Sequence, residues 1–201
     1  MRHLILLALL IASPALAHEG HEHGAGWTLS SSVTVPLALT AILYAIGWAR
    51  LRARSERGRA GLARSVWLFA AGWLTLTGAL VTPLHEAGER SFALHMIEHE
   101  LIMLVAALLL VAARPGPALL WAFPHGTRRA LAGISRWSFW DALTNPFTAT
   151  ALQAGVLILW HLPGLFDLAL RHEGWHVVQH LSFIASALLF WWAMLYGRGG
   201  P

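Results

Sequence analysis

The chain has 201 residues, of which 57% are hydrophobic and 12% are charged, whereas an ordinary soluble domain has about 25% charged residues. With a mean hydropathy of +0.57, this composition predicts an all-α polytopic membrane helical bundle in a lipid bilayer. The net charge of +4 comes entirely from arginines clustered in loops, which indicates membrane topology rather than nucleic-acid binding, and the absence of cysteine excludes disulfides and thiolate metal sites within this chain.

Residues 1–17 have the form of a secretory signal peptide. A short positive region precedes an apolar stretch at 4–12, and Ala15-Leu16-Ala17 is a small-x-small cleavage site. An uncleaved helix is the alternative. Cleavage would leave residues 18–32 as a histidine-rich periplasmic leader, which is either a metal-binding segment or a solvated one without ligands. The candidate leader ligands are His18, His21 and His23.

Five apolar segments follow and form a single transmembrane domain at 33–201. Each is close to the ~20 residues that a spanning helix needs. The predicted spans are 33–49, 66–84, 92–113, 148–165 and 175–196.

The distribution of arginines orients these five transmembrane helices. The segments 50–64, 114–147 and 197–201 hold eleven arginines, whereas the loops on the other side hold only Arg90 and Arg171. The positive-inside rule therefore places the mature N-terminus outside and the C-terminus in the cytoplasm, and a cleaved signal peptide predicts the same orientation. Residues 128–140 combine arginine and tryptophan at helical spacing. They predict a short helix on the cytoplasmic surface, with packing between spans as the alternative.

Histidines occupy the outer ends of three predicted spans. Two H-x-x-x-H pairs each place two imidazoles on one helix face, and a further histidine ends the fourth span. Imidazole binds copper, zinc and iron, and ionisable groups inside a membrane are costly and usually functional. The sequence therefore predicts a metal or haem site open to the outer side. Its candidate ligands are His95, His99, His161, His176 and His180.

Polar neighbours are candidates for supporting these ligands. A carboxylate or an amide beside an imidazole can fix its tautomer. The supporting candidates are Glu98, Glu100, Gln179 and Asp167. Asp167 is also predicted to cap a helical segment at 168–171. His85 and His172 are predicted to be solvated loop residues, with a role as entry ligands as the alternative. Met96 and Met103 share a face with His99 and are interpreted as core or lipid-facing residues rather than thioether ligands.

Several of these residues carry a family resemblance. His95-Met96-Ile97-Glu98-His99-Glu100-Leu101 is similar to an H-M-x-x-H-x-L span, and the region 160–192 is similar to a W-H-x-P-x-x-x-D … H-x-x-x-H … F-W-W block. Over 66–196 the chain resembles the CtaG-like polytopic membrane proteins of bacterial cytochrome c oxidase assembly. It has fewer predicted spans than that family usually shows.

The resemblance implies a non-enzymatic assembly factor of the bacterial plasma membrane that binds copper and supports metallation of a haem–copper oxidase subunit. It implies the same five histidines as copper ligands, although imidazole also binds zinc well. A bis-histidine haem electron carrier with His99 and His180 as axial ligands is the alternative. A transporter is disfavoured because the inner halves of the spans hold few polar residues.

Overall fold

The computed structural model describes residues 26–55, 59–133 and 138–197, and every regular element in these ranges is a helix. The long helices are α1 (Ser31–Arg54), α2 (Arg59–Val81), α4 (Phe92–Ala112), α8 (Pro146–Trp160) and α10 (Glu173–Tyr196). The short helices are α3 (Pro83–Arg90), α5 (Gly116–Trp121), α6 (His125–Gly133), α7 (Ser138–Leu143) and α9 (Pro163–Arg171). The predicted signal peptide and His18, His21 and His23 lie outside the described residues.

Four helices, α1, α2, α4 and α10, are long and apolar enough to cross a membrane. Helices α8 and α9 meet the same criterion together but are bent by 73° relative to each other, so residues 26–55, 59–133 and 138–197 contain four candidate spans, or five when the bent pair counts as one. The all-α membrane fold is confirmed. The predicted end of the fourth span at 165 is wrong because Pro163 starts a new helix and forces Leu162 out of the helical conformation, to ψ 131°.

The long helices alternate in direction, which gives the bundle two chemically different ends. At one end Thr28 donates its backbone N–H to the Val81 carbonyl (3.0 Å), which joins the start of α1 to the end of α2. We call this the histidine end, because α4 and α10 also begin here with their histidines. At the opposite end, the arginine end, Arg50 donates to the Ala122 carbonyl (2.7 Å) and the Arg114 guanidinium lies 4.2 Å from the Tyr196 ring centroid.

The predicted surface helix at 128–140 corresponds to two helices at the arginine end. Helix α6 has no buried residue, and its Arg128 stacks on Trp121 of α5 at 4.2 Å, which agrees with a surface position. Residues 134–137 lie outside the described ranges. In α7, Trp140 is buried, so the far part of the predicted helix follows the packing alternative instead.

Helix α4 changes its winding in the middle. Leu101–Ala106 is π-helical, a form that is usually a short interruption of an α-helix, often near a functional site. The Trp191 indole of α10 donates to the Met103 carbonyl in this segment (2.8 Å), and the Gln153 amide of α8 donates to the Met103 sulfur (3.2 Å). The π-helical segment thus begins two residues after His99 and connects helices α4, α8 and α10 below it.

Gly47 lets α1 lie directly against α5. An added Cβ would overlap the Ala118 carbonyl oxygen and lie 2.9 Å from the Ala122 nitrogen. We expect Gly47→Ala to lower the thermal stability of the purified protein, since overpacking costs about 1–3 kcal/mol. Gly78→Ala in α2, where no atom lies within 4 Å of the added Cβ, should be neutral or slightly stabilising. Size-exclusion chromatography after heating in detergent compares the two variants, and equal losses would contradict this packing.

Candidate metal centre

His85 lies beside the histidines of α4 and α10 because residues 83–90 form a helix rather than the predicted loop. Thr82 caps α3 by accepting the Leu84 N–H (3.4 Å), and Pro83 lies in the first turn, where its fixed φ favours helix initiation. Gly88 then allows α3 to lie against α4, because a Cβ there would be 3.2 Å from Glu98 Oε2 and 3.3 Å from the His95 Cα. The prediction of His85 as a solvated loop residue is wrong.

Five imidazoles from three helices form one cluster at the histidine end. In α4 the His95 and His99 ring centroids are 4.2 Å apart, and in α10 those of His176 and His180 are 4.5 Å apart. Between these helices the distances are 5.8 Å for His95–His176 and 5.3 Å for His99–His180. His85 from α3 stacks on His176 at 5.1 Å. Four of the five predicted ligands therefore converge, together with His85.

The cluster is buried and short of hydrogen bonds. His95 and His99 are each 2% exposed, and neither nitrogen of either ring has a hydrogen-bond partner in the part of the chain that the structure describes. The same holds there for Nε2 of His176 and of His180 and for the Gln179 side-chain oxygen. A buried polar atom without a partner costs about 1–3 kcal/mol. These nitrogens therefore favour a bound species that accepts their lone pairs.

Glu98 supplies the negative charge of the cluster. Its carboxylate is fully buried, and Oε1 accepts a hydrogen bond from His85 Nδ1 (2.7 Å) and lies 3.4 Å from His180 Nε2. A proton held on His85 Nδ1 leaves Nε2 with the lone pair, as in carboxylate–histidine–metal arrangements. Glu98 thus orients His85 and partly offsets the positive charge of a bound cation.

The positions of three of these rings fit a tetrahedral metal ion. With metal–nitrogen bonds of about 2.0–2.1 Å, two imidazoles on one such ion have ring centroids about 5 Å apart. The three pairs among His85, His176 and His180 have centroids 5.1, 5.6 and 4.5 Å apart. One ligating nitrogen from each of these residues lies within 4.8 Å of the other two. Ring rotations that shorten these distances to about 3.3 Å would form three corners of a tetrahedron.

Aromatic side chains seal the cluster from below and from one side. Phe183 is fully buried and meets His99 edge-on at 4.6 Å. From α9, Phe166 meets His95 at 5.9 Å with the rings nearly perpendicular. Met103 is buried in the apolar core with Phe183, as the core interpretation predicted. These contacts exclude water, which strengthens electrostatic interactions inside the cluster.

The other predicted residues have different surroundings. His161 is exposed at the end of α8, with Nδ1 2.6 Å from the Leu157 carbonyl oxygen. Glu100 is also exposed, whereas Gln179 is buried beside His180. Asp167 is exposed inside α9, whose N-cap is Leu162. The predicted cap at Asp167 is therefore wrong, because Pro163 starts the helix four residues earlier.

Of the five clustered histidines, only His85 was absent from the predicted ligand set, since the sequence offered it as an entry ligand only as the alternative to a solvated loop residue. The signal for it was the Thr82-Pro83 pair, a cap residue followed by proline, which is typical of a helix start. That reading would have placed His85 and Glu86 in the first turn of a short helix ending just before the third span. Its contact with Glu98 depends on how α3 folds back over α4.

The fold and the site define a class: an all-helical membrane protein with imidazoles buried together at one end of its bundle. A family model described as cytochrome c oxidase caa3 assembly factor (Caa3_CtaG) matches residues 42–201. Because this match covers most of the chain, the chain belongs to that family. The resemblance to CtaG-like proteins is thereby confirmed.

The chain is also similar to mycobacterial proteins whose names state no activity. The chain is 28% identical over 186 residues to uncharacterized proteins of Mycobacterium bovis and Mycobacterium tuberculosis, and 26% identical to one of Mycobacterium leprae. Each alignment covers 87% of this chain and 27% of the relative, so the chain spans about a quarter of the length of these proteins. No solved structure matches the chain.

Burial predicts the order in which histidines react with a chemical probe. We expect diethyl pyrocarbonate to modify the exposed His125, His161 and His172 well before the buried His95 and His99. Peptide mass spectrometry after a short reaction in detergent measures this order. The denatured chain, in which all should react alike, is the control. Protection of His161 equal to that of His95 would contradict its exposed position.

Proposed function

We propose that this protein binds copper at the five-histidine cluster and supports metallation of a haem–copper oxidase subunit. The observation that carries this proposal is the set of buried imidazole nitrogens without hydrogen-bond partners among the described residues. Family membership supports the oxidase as the partner. The proposed role is binding and transfer of an ion without catalysis, because the described cluster offers more donors than the four that one tetrahedral ion takes.

Copper is preferred over zinc on the family's role in oxidase assembly rather than on donor chemistry. Imidazole and carboxylate suit both metals. Among the divalent first-row transition metals, a site of this kind generally has its highest affinity for copper. The same cluster would therefore retain copper in competition with zinc when both are supplied equally.

The packing of the rings favours an ion over haem. Bis-histidine haem needs axial imidazoles on opposite faces of a macrocycle. His99 and His180 instead meet edge-on with ring centroids 5.3 Å apart, while Phe183 packs against His99. These contacts leave no space between the two imidazole rings for a porphyrin. An absorption spectrum with a Soret band would support the haem alternative.

We propose further that the histidine end faces the outside of the plasma membrane. The described parts of segments 50–64 and 114–147 lie at the opposite end of the bundle, where the positive-inside rule places the cytoplasm. In this orientation His18, His21 and His23 would collect copper from the periplasm and pass it to the cluster.

Copper content tests the proposal directly. We expect the full chain with His18, His21 and His23 replaced by alanine, purified after copper supplementation, to retain copper without a Soret band. His176→Ala with His180→Ala should lower the affinity by more than about 100-fold, and Glu98→Gln by about 10–100-fold, as for residues that orient a ligand. Elemental analysis and a competition titration measure both effects.

The matched control is His172→Ala, since this exposed residue lies close to α10's histidines in sequence but outside the cluster. In a bacterium lacking the gene, the wild type and this control should restore oxidase activity, whereas the His176/His180 double variant should not. Full restoration by the double variant, or copper content equal to the control, would reject the cluster as the functional site.

The orientation is testable because the chain has no cysteine. We expect His172→Cys, in the outer segment before α10, to react with a membrane-impermeant maleimide on intact cells. His125→Cys, in α6 at the arginine end, should react only after the membrane is opened. Both native residues are exposed, so both positions are accessible once the membrane no longer shields them. The reverse labelling pattern would overturn the orientation.

A further inference from the structure

We infer that the cluster holds two metal ions in adjacent positions. One is bound by His85, His176 and His180, which we call the triad position. The other is bound by His95 and His99, which we call the pair position. This inference rests on the proposed function and adds the capacity of the site and the assignment of its ligands.

The grouping of the nitrogens separates the two positions. His85, His176 and His180 form a group of three ligating atoms within 4.8 Å of one another, and Glu98 is hydrogen-bonded to one member and 3.4 Å from another. His95 and His99 lie on the opposite side of the cluster, on α4. Their ring centroids are 4.2 Å apart and lie 5.8 and 5.3 Å from those of His176 and His180. The ring centroids alone do not separate the two positions, since His85 and His180 of the triad are 5.6 Å apart. The ligating nitrogens do, because neither His95 nor His99 belongs to the group of three.

The number of donors exceeds what one ion accepts. Each neutral imidazole offers one lone pair. Four rings of the cluster besides His85 have a buried nitrogen without a hydrogen-bond partner among the described residues, as do Glu98 Oε2 and the Gln179 side-chain oxygen. One tetrahedral ion takes four donors, so an ion bound by His85 and three of these six groups would leave the other three unpaired. A second ion at His95 and His99 removes most of this deficit.

The pair position has the character of a site rather than of a packing contact. Both rings are 2% exposed, and all four of their nitrogens are buried without a partner in the described ranges. Two imidazoles that met edge-on only for packing would be better replaced by apolar rings, since burying unpaired polar atoms is unfavourable. Phe183 and Phe166 enclose the pair, so an ion there would bind few waters.

Charge sets the order of filling. Two cations within one cluster repel each other, and Glu98 is the buried carboxylate that offsets this repulsion. Glu98 is hydrogen-bonded to His85 and lies 3.4 Å from His180, both of the triad. The triad position therefore fills first, and the pair position binds a second ion more weakly. Monovalent copper minimises the repulsion.

The test counts ions in the full chain with His18, His21 and His23 replaced by alanine. Cu(I) is added from a competing chelator, and bound copper is measured by elemental analysis and by native mass spectrometry. We expect two ions per chain, bound in two steps. His95→Asn with His99→Asn should retain one ion at the higher affinity, and His85→Asn with His176→Asn should retain one at the lower affinity. His125→Ala, at the arginine end, is the control and should bind two.

Each other result has a definite meaning. One ion in the parent, lost from both double variants, would show a single shared site and overturn the two positions while leaving the proposed function intact. Two ions retained after replacement of His95 and His99 would place the second ion elsewhere and also overturn the inference. No copper in the parent would reject the proposed function itself. Native mass spectrometry of the parent decides the capacity even when a variant fails to fold.

Discussion

The hydrogen bond between the buried Glu98 carboxylate and His85 holds the histidine end together. A carboxylate with no exposed surface in an apolar bundle requires a partner, because an unpaired buried charge is strongly unfavourable. His85 is that partner, at 2.7 Å. This bond fixes α3 against α4 and brings the fifth imidazole over the two of α10. Without it, the Glu98 carboxylate would keep only the longer contact to His180 Nε2 (3.4 Å), and α3 would be held by its packing at Gly88 and by the stacking of His85 on His176.

Close approach of α3 depends on the absence of a side chain at Gly88. At Gly88 the backbone of α3 is so close to α4 that an added Cβ would lie 3.2 Å from Glu98 Oε2 and 3.3 Å from the His95 Cα. On the far side of the cluster, the π-helical segment joins α4 to α10. It begins two residues after His99, and its Met103 carbonyl accepts a hydrogen bond from the Trp191 indole, so α4 and α10 are held together below the imidazoles. The spacing of the rings therefore depends on Gly88 above them and on this side-chain-to-backbone hydrogen bond below them.

Sequence reasoning predicted those features that depend on local hydrophobicity and missed those that depend on tertiary contacts. Helices α4 and α10 lie within two residues of their predicted bounds because long apolar runs define them. The faces of their histidines followed from the four-residue spacing, and four predicted ligands do converge, although their role as ligands stays a prediction. The exposure of His161 could not be predicted, because it depends on the bend before Pro163. The π-helical segment lies in a uniformly apolar run that carries no signal for altered winding.

The exposure of the proposed ligands suits an exchange site more than a storage site. Structural metal sites are closed by their full set of ligands, whereas sites that exchange or react keep an open position. Here the His85 side chain is 12% exposed and that of His180 is 8% exposed, while His95 and His99 are nearly inaccessible. His85 is also carried by the shortest helix of the centre, which is attached to α4 through Glu98. A protein that docks at the histidine end would reach His85 before the more deeply buried His95 and His99, and movement of α3 alone would withdraw one proposed ligand while leaving α4 and α10 in place.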